Sequence, residues 1–306
     1  MPVFGRVGTA MVTPFHDDGS LDLEGAGTVA NHLLAHGTDT IVLAGTTGES
    51  PTLEEGERIE LLAAVRDAVG NRAALMVGTG TNATARSVAA TEAATEAGAD
   101  AILAVAPYYN KPDHAGMMAH FTAIASATDL PVLLYDVPHR TAVEIPLETL
   151  VELSFVDNVV GVKDAAGRLG KTADVLRLTA GHPGGFEVYC GADELNLPML
   201  ALGAAGLVSV SAHLVGDDLA RMCTAVTTGD LDTAREIHLR LMPMHTALFA
   251  SPSPAPLKAG MELLGLPGGP VRGPLVDAPE PVVAQVRNAL HHAGILPYEP
   301  DSTDDH

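Results

Sequence analysis

The chain has 306 residues, enough for two average domains or for one large α/β barrel with an appendage. With 47% hydrophobic and 18% charged residues, its composition is that of a globular protein with ample material for a core. A formal net charge of −21 argues against nucleic acids and anionic membranes as partners, and an anionic substrate must therefore be attracted by a local positive group.

Eight short apolar runs are predicted as β-strands, with amphipathic helical patterns between them. Most of the runs are apolar throughout, as expected of parallel strands that are covered on both faces. The predicted strands are 7–13, 40–43, 75–78, 101–105, 132–136, 159–163, 187–190 and 207–209. Strands alternating with helices imply βαβ units, and eight of them favour a closed (β/α)8 TIM barrel over a doubly wound sheet.

The barrel is expected to occupy residues 1–229. Apolar stripes predict three further helices in a C-terminal region, 230–296, where a Pro/Gly-rich link at 267–274 separates the last two. The tail, 297–306, is acidic and poor in aromatic residues, and we expect it to be disordered.

Residues 197–216 form a stretch without acid, lysine or arginine that is long enough to span a bilayer. Because Gly203 and Gly206 divide it into a helix-like and a strand-like half, we predict a buried helix–turn–strand instead. The first residues show no signal-peptide pattern. Cys190 and Cys223 form neither a disulfide framework nor a zinc pattern, which favours a reducing cytoplasm.

Lys163 is the most informative polar residue, because it ends the apolar run of the sixth predicted strand. The C-terminal ends of barrel strands are where active sites are built. A lysine shielded from water there can act as a nucleophile and form an imine with a ketone. The alternative is a lysine that reaches solvent or pairs with Asp164.

Polar side chains also follow other predicted strands and would meet Lys163 at the same barrel mouth. The segment 45–50 follows the second strand, Tyr108 and Tyr109 follow the fourth, and Tyr135 lies in the fifth. Tyrosine and threonine hydroxyls can relay the protons that imine chemistry requires. Arg140, just past the fifth strand, could bind a carboxylate with both arms of its guanidinium. Each of these residues taken singly also has an ordinary interpretation as a turn, a packing residue or a surface arginine.

Three other patterns are weaker candidates for function. The glycine-rich segment 78–83 resembles a dinucleotide fingerprint but lies in the third βα unit. His32 and His36 are spaced like metal ligands on a helix, but no third ligand is evident, and we expect a solvated face. Cys190 has no histidine base nearby in the sequence, which favours a small buried residue over a nucleophile.

Taken together, the segments 45–50, 134–138 and 161–164 resemble motifs of the dihydrodipicolinate synthase family, within the N-acetylneuraminate lyase superfamily of class I aldolases. The resemblance covers residues 5–295. Two departures are mild: Asp136 stands where the family usually has asparagine, and Pro51 where alanine is more familiar.

The resemblance implies catalytic roles for Lys163 as the imine-forming residue, for Tyr135 and Thr47 in a hydroxyl relay, and for Tyr109 as a relay tyrosine supplied by the neighbouring subunit. It therefore implies a homotetramer built as a dimer of dimers.

Substrate-binding roles are implied for a second group of residues. Thr46 would help to hold the carboxylate of pyruvate, with Thr47 beside it. Gly191 and Val208 would line the pyruvate pocket, and Arg140 would hold the carboxylate of L-aspartate 4-semialdehyde.

The implied reaction condenses these two substrates to 4-hydroxy-tetrahydrodipicolinate, in the biosynthesis of diaminopimelate and lysine. No metal or organic cofactor is implied, because the imine is the electron sink. Alternatives are a 2-keto-3-deoxy sugar-acid aldolase, an N-acetylneuraminate lyase, or a catalytically silent paralogue that binds a keto acid.

The resemblance also generates a prediction about feedback inhibition by L-lysine. In lysine-inhibited members a glutamate on the helix after the third strand helps to hold the ε-ammonium of lysine, and Arg86 stands at that position. A histidine of inhibited members is also replaced, by Glu55 or Arg58. Two like charges at about 4 Å repel by about 1 kcal/mol in water, and more when they are partly buried.

We therefore predict that L-lysine inhibits this protein weakly or not at all. The measurement is the initial rate of condensation at saturating pyruvate with increasing L-lysine. Strong inhibition at sub-millimolar L-lysine would contradict the prediction.

Overall fold

The computed structural model describes residues 2–182 and 184–297. Eight parallel strands close into one barrel in chain order, and the first strand is hydrogen-bonded to both the second and the eighth. The strands are β1 (Val7–Ala10), β2 (Thr40–Leu43), β3 (Ala74–Gly78), β4 (Ala101–Val105), β5 (Val132–Asp136), β6 (Val159–Asp164), β7 (Glu187–Cys190) and β8 (Gly206–Ser209). The predicted TIM barrel is thereby confirmed.

The largest difference from the predicted strands is in β1, which ends at residue 10 instead of residue 13. Beyond it, side-chain hydrogen bonds replace the regular ladder. The backbone N–H of Val12 donates to Nε2 of His213 at 3.2 Å, and the hydroxyl of Thr13 donates to the carbonyl oxygen of Gly48 at 2.7 Å.

Twelve α-helices lie in the described residues. They are α1 (Leu23–Ala35), α2 (Glu55–Val69), α3 (Thr84–Glu96), α4 (His114–Ala125), α5 (Pro138–Thr141), α6 (Leu147–Leu153), α7 (Leu169–Thr179), α8 (Asn196–Leu202), α9 (Ala212–Thr228), α10 (Leu231–Ala247), α11 (Ala255–Leu263) and α12 (Glu280–Ala293). Several begin with an acidic cap: Asp22, Asp113 and Asp230 accept backbone N–H bonds at the starts of α1, α4 and α10. Such caps satisfy N–H groups that the helix itself leaves free.

The predicted boundary after residue 229 falls between α9 and α10. Helices α10 and α11 pack on α9, and α12 packs on α10 and α11. Of the predicted tail, 297–306, all but the first residue lie outside the described residues. The apolar stretch 197–216 contains most of α8, then β8, then the start of α9, as predicted. Within the described part of the chain, no helix is long and apolar enough to cross a membrane.

The buried apolar side chains form two main clusters. The larger one lies between the strands and the surrounding helices. The smaller one fills the barrel interior and consists of Phe4, Ala10, Val42, Met76, Ala101, Leu103, Leu133, Tyr135, Val137, Ala165, Tyr189 and Val208. The barrel interior is therefore a packed core, as is usual for this fold.

An irregularity in β6 decides which of its side chains face the interior. Val132 of β5 is paired with Val159, but the next residue, Leu133, is paired with Gly161, so Val160 is an extra residue. A Cβ atom on Gly161 would lie 2.1 Å from the carbonyl oxygen of Glu187, so only glycine fits there. Since side chains alternate along a strand, one extra residue exchanges the inward and outward positions beyond it.

Candidate active site

Lys163 lies in one layer of the barrel interior between two tyrosines. It is paired with Tyr135 of β5 on one side and Tyr189 of β7 on the other. Lys163 is only 4% exposed, and its Nζ lies 4.3 Å from the centre of the Tyr135 ring. In residues 2–182 and 184–297, no carboxylate forms an ion pair with it.

Pairing between Lys163 and its neighbour Asp164 does not occur, because successive residues of a strand point to opposite faces. Asp164 accepts hydrogen bonds from the hydroxyl of Thr172 in α7 at 2.7 Å and from the backbone of Ala166 at 2.9 Å. The amine of Lys163 therefore points into the interior of the barrel.

Gly191, just after β7, leaves the room that the lysine side chain needs. A Cβ atom on Gly191 would lie 2.9 Å from both Cγ and Cε of Lys163. Val208, in β8, belongs to the interior cluster that also contains Tyr135. Both predicted pocket residues therefore lie in the same part of the barrel as the amine.

A cavity of about 500 Å³ opens above this layer, at the C-terminal ends of the strands. Its walls include four of the polar residues that the sequence singled out: Thr46, Tyr108, Tyr135 and Arg140. Thr47 is 3% exposed, as deeply buried as Lys163, and does not line the described walls. Thr47 is thus more deeply buried than Thr46.

Tyr109 does not reach this cavity within one chain. Its side chain is 88% exposed, and its φ of 73° lies in the left-handed region that bulky residues rarely adopt. The backbone of Tyr109 is tied to the carbonyl oxygen of Thr141 at 3.4 Å, and the amide of Asn110 donates to the carbonyl oxygen of Asn82 at 2.8 Å. The loop thus presents an aromatic ring outward.

The departure at Asp136 has a local explanation. Asp136 points outward from the barrel, is 1% exposed and forms an ion pair with Nζ of Lys171 at 2.7 Å. It also accepts the backbone N–H of Ile145 at 3.1 Å. Burial raises the pKa of Asp136, and the nearby lysine opposes that rise. The carboxylate therefore anchors α7 and does not enter the cavity.

Glu49, in the loop after β2, is held by a residue that the sequence analysis did not identify. Its carboxylate forms an ion pair with Nζ of Lys258 in α11 at 2.8 Å, and the exposed fractions of the two side chains are 1% and 4%. Lys258 also donates to the carbonyl oxygen of Pro270 at 2.7 Å. Burial lowers the pKa of Lys258, and Glu49 opposes that change.

Arg272 adds a second attachment from the C-terminal region. Its backbone N–H donates to Glu49 at 2.8 Å, and its guanidinium donates to the carbonyl oxygen of Thr52 at 2.8 Å and pairs with Glu57. The cations of Arg272 and Lys258 lie 4.2 and 4.5 Å from the ring centre of Phe15. The C-terminal region therefore fixes the 45–50 loop, which carries Thr46 and Thr47.

The weaker sequence candidates have structural explanations. A Cβ atom on Gly78 would lie 2.2 Å from the carbonyl oxygen of Ala44, so close packing of β2 and β3 requires this glycine. Cys190 is buried, as predicted, and burial raises the pKa of its thiol. The expected solvated face holds for His36, whose side chain is 43% exposed, but not for His32. Both are half-buried against α9, where Nε2 of His32 donates to a carbonyl oxygen at 2.9 Å and Nδ1 of His36 lies 2.7 Å from an aspartate. Among the residues described, no group of three or more acidic, histidine or cysteine side chains could hold a metal ion.

Comparison with known proteins places this geometry in a family. The model of the dihydrodipicolinate synthetase family matches residues 3–293. The 4-hydroxy-tetrahydrodipicolinate synthase of Acaryochloris marina is 46% identical over 97% of this chain and 100% of its own length. The dihydrodipicolinate synthase structure from Bacillus anthracis is 42% identical, with a TM-score of 0.92 over 95% of this chain and 99% of that one. The lysine-bound structure from Cyanidioschyzon merolae is 43% identical, with a TM-score of 0.93 over 96% and 99%.

The attachment of the 45–50 loop generates a prediction. Lys258→Met leaves the buried carboxylate of Glu49 without its cation, so we expect a loss of about 3–5 kcal/mol in the free energy of unfolding. Amide hydrogen exchange in residues 45–53 should rise at the same time. Urea denaturation and exchange mass spectrometry measure the two effects.

Two variants serve as controls. The double variant Glu49→Gln, Lys258→Met should recover part of the stability, because no buried charge is left unpaired. Lys171→Met also breaks a buried pair but should leave exchange in the loop unchanged. Unchanged loop exchange in Lys258→Met would show that the ion pair does not hold the loop.

Proposed function

Because the chain belongs to the dihydrodipicolinate synthetase family, we propose that it condenses pyruvate with L-aspartate 4-semialdehyde through an imine on Lys163. The product is 4-hydroxy-tetrahydrodipicolinate, so the protein is a lyase of the class I aldolase type, on the route to diaminopimelate and lysine. One observation carries the proposal: a buried lysine, which forms no ion pair with the described residues, lies against the ring of Tyr135, and Tyr135 lines the cavity at the C-terminal ends of the strands.

The reaction begins at Nζ of Lys163. The neutral amine adds to the carbonyl carbon of pyruvate, and the resulting carbinolamine loses water to give the imine. A proton then leaves the methyl group, and the electron pair delocalises into the C=N bond as an enamine. No carboxylate competes for the amine in the described structure, and Gly191 leaves space beside it.

We expect Tyr135 to move these protons, since its ring centre lies 4.3 Å from the amine nitrogen and the residue also lines the cavity. The resemblance gave the relay role to Thr47 and the carboxylate role to Thr46. The difference in burial between the two residues favours the reverse assignment, with Thr46 in the relay and Thr47 at the carboxylate. Thr46 shares the cavity wall with Tyr135, so its hydroxyl can extend the relay. Thr47 is buried like Lys163 and would hold the pyruvate carboxylate near the imine.

We expect Arg140 to select the second substrate. It lines the cavity, follows β5, and forms no ion pair with the described residues. Its guanidinium would bind the carboxylate of the semialdehyde while the enamine attacks the aldehyde carbon. The amine of that substrate then adds to the imine carbon, closes the ring and expels the amine of Lys163. The balance is one water released for each pair of substrates.

The exposed Tyr109 suggests that the cavity is completed by a second chain. A bulky residue at positive φ costs about 1–3 kcal/mol and persists where surrounding contacts enforce it. We propose that Tyr109 enters the cavity of a neighbouring subunit and extends the relay there, in a homotetramer built from two such dimers. The buried free thiols Cys190 and Cys223 fit the reducing cytoplasm, which we propose as its location.

The alternatives have less support. Sugar-acid aldolases and N-acetylneuraminate lyases would use the same lysine, but the relative from Acaryochloris marina, which matches almost the whole chain, carries the synthase name. A silent paralogue would not need a tyrosine ring against a buried lysine that forms no ion pair with the described residues.

The central test is reductive trapping of the imine. Pyruvate with borohydride should add one reduced three-carbon group per chain, on the peptide that contains Lys163, as read by mass spectrometry. The chain has only four lysines, so Lys111, Lys171 and Lys258 are internal controls. A chelator should leave the condensation rate unchanged, because the imine is the electron sink. Labelling of another lysine, or of none, would overturn the mechanism.

The second test concerns Arg140. A desolvated two-armed contact with a carboxylate contributes roughly 2–4 kcal/mol, so Arg140→Ala should lower kcat/KM for the semialdehyde by about 30- to 1000-fold. Trapping of pyruvate on Lys163 should persist, because the imine forms before the aldehyde binds. Equal loss of both steps would assign Arg140 a structural role. A preference of the unaltered enzyme for sugar-acid acceptors would favour the alternative aldolases.

A further inference from the structure

We propose that Asp193 and His213 are positioning residues for formation of the imine. Together they connect the ends of β7, β8 and β1 by buried hydrogen bonds, and so fix the part of the barrel mouth beside Lys163. This role presupposes the proposed function, since it concerns the step in which Lys163 meets pyruvate.

Asp193 connects the end of β7 to the end of β8. It begins the short 3₁₀ helix Asp193–Leu195, two residues after Gly191, and is 3% exposed. One oxygen of its carboxylate accepts the backbone N–H groups of Val210 at 3.0 Å and of Ser211 at 2.8 Å. Both donors lie beyond the last residue of β8. Without the carboxylate, two buried N–H groups would lose this acceptor, which is destabilising.

His213 connects the end of β8 to the end of β1. Its side chain is fully buried, and Nε2 accepts the backbone N–H of Val12 at 3.2 Å. Nδ1 must then carry the ring proton, and it donates to the carbonyl oxygen of Val210 at 2.8 Å. Burial lowers the pKa of His213 to about 4, which keeps the ring in this neutral form at pH 7.

The turn that carries His213 is also held from outside by α1. Val215 has a non-helical φ of −132°, so the first turn of α9 is set apart from the rest of the helix. Nε2 of His32 donates to the carbonyl oxygen of His213 at 2.9 Å. A Cβ atom on Gly216 would lie 2.3 Å from the carbonyl oxygen of His36, so this close approach of α1 requires glycine. The ring of His213 is therefore fixed by α1, β8 and β1 together.

These contacts lie beside the two residues expected to line the pyruvate pocket. Asp193 is two residues from Gly191, where a Cβ atom would already lie 2.9 Å from Cγ and Cε of Lys163. Val208 is two residues before Val210, which both positioning residues contact. A shift of either strand end would therefore change the space around the amine.

The same series of contacts continues to the 45–50 loop. Val12, which His213 holds, is followed by Thr13, whose hydroxyl donates to the carbonyl oxygen of Gly48 at 2.7 Å. Gly48 directly follows Thr47, the residue proposed to hold the pyruvate carboxylate. Side-chain hydrogen bonds thus link the ends of three neighbouring strands to the loop that would bind pyruvate.

Steady-state kinetics of three His213 variants test this role. His213→Gln can still offer an acceptor to Val12, His213→Asn keeps only the donor to Val210, and His213→Leu keeps neither. In His213→Leu and His213→Asn, kcat/KM for pyruvate should fall about 10- to 100-fold, because the buried N–H of Val12 is left unpaired. In His213→Gln the fall should be less than about threefold. In all three variants kcat/KM for the semialdehyde should change less than about threefold, because the imine forms before the aldehyde binds.

Two Asp193 variants provide a second comparison. In Asp193→Asn the amide oxygen can accept the N–H groups of Val210 and Ser211. Asn196 now donates to Asp193 at 3.2 Å, and its own Oδ1 is buried without a hydrogen-bond partner in the described structure. It can therefore turn over and accept from the new amide. Asp193→Ala leaves both backbone donors unpaired and should show the larger loss of kcat/KM for pyruvate.

Thr40→Val is the matched control. It removes a buried hydrogen bond of 2.7 Å to the carbonyl oxygen of Phe4, at the opposite end of the barrel. It should lower the free energy of unfolding, measured by urea denaturation, and leave kcat/KM for pyruvate unchanged. The comparison of His213→Gln with His213→Asn remains decisive if His213→Leu does not fold.

Several outcomes would overturn the assignment. They are equal losses of kcat/KM for both substrates, a loss for pyruvate in Thr40→Val as large as in the His213 variants, and higher activity in His213→Asn than in His213→Gln. Unchanged kinetics in every variant would overturn it too. If the unaltered protein does not trap pyruvate on Lys163 with borohydride, the proposed function fails, and this role fails with it. Trapping by the unaltered protein with unchanged kinetics in the variants would overturn only the role of Asp193 and His213.

Discussion

The register of β5, β6 and β7 places Lys163 between Tyr135 and Tyr189, and the remaining parts of the site are arranged around this layer. The extra residue in β6 turns the lysine inward and the following Asp164 outward, where the aspartate bonds to α7. Because successive side chains of a strand point to opposite faces, Lys163 faces the barrel interior while Asp164 anchors a helix. The same alternation in β5 separates Tyr135 from Asp136.

Much of this arrangement follows from local sequence. Parallel strands covered on both faces are apolar throughout, so their positions were predicted within one residue, except at the end of β1. Lys163, Tyr135 and Arg140 could be recognised because a barrel collects strand ends at one mouth. The predicted end of β1 was wrong because side chains distant in sequence accept hydrogen bonds from the backbone beyond residue 10. His213, for example, accepts the N–H of Val12. The contacts of His32 and His36 were missed for the same reason: their partners lie on α9.

The attachment of the 45–50 loop could not be predicted, because its partners are far apart in sequence and each looks ordinary alone. Arg272 lies within a proline- and glycine-rich link that suggests a surface loop, yet its guanidinium lies over the ring of Phe15. The sequence around Lys258 gives a weak indication of a buried ion pair, since a lysine within an apolar helix is either exposed or paired. Nothing in the sequence indicated Glu49 as the partner. Ion pairs of this kind depend on three-dimensional packing, which hydrophobic periodicity does not encode.

Because the chain is synthesised from its N-terminus, the attachment of the 45–50 loop can form only late in synthesis. Glu49 and Arg272 are 223 residues apart, and the N-terminal partner leaves the ribosome first. At a synthesis rate of about 5–20 residues per second, roughly 10–45 s pass between synthesis of the loop and synthesis of Arg272. During that interval the strands that carry Tyr135 and Lys163 are also completed, but the wall of the cavity is not. The nascent barrel thus acquires its finished site only as the last helices emerge, which ties the onset of activity to the completion of the polypeptide.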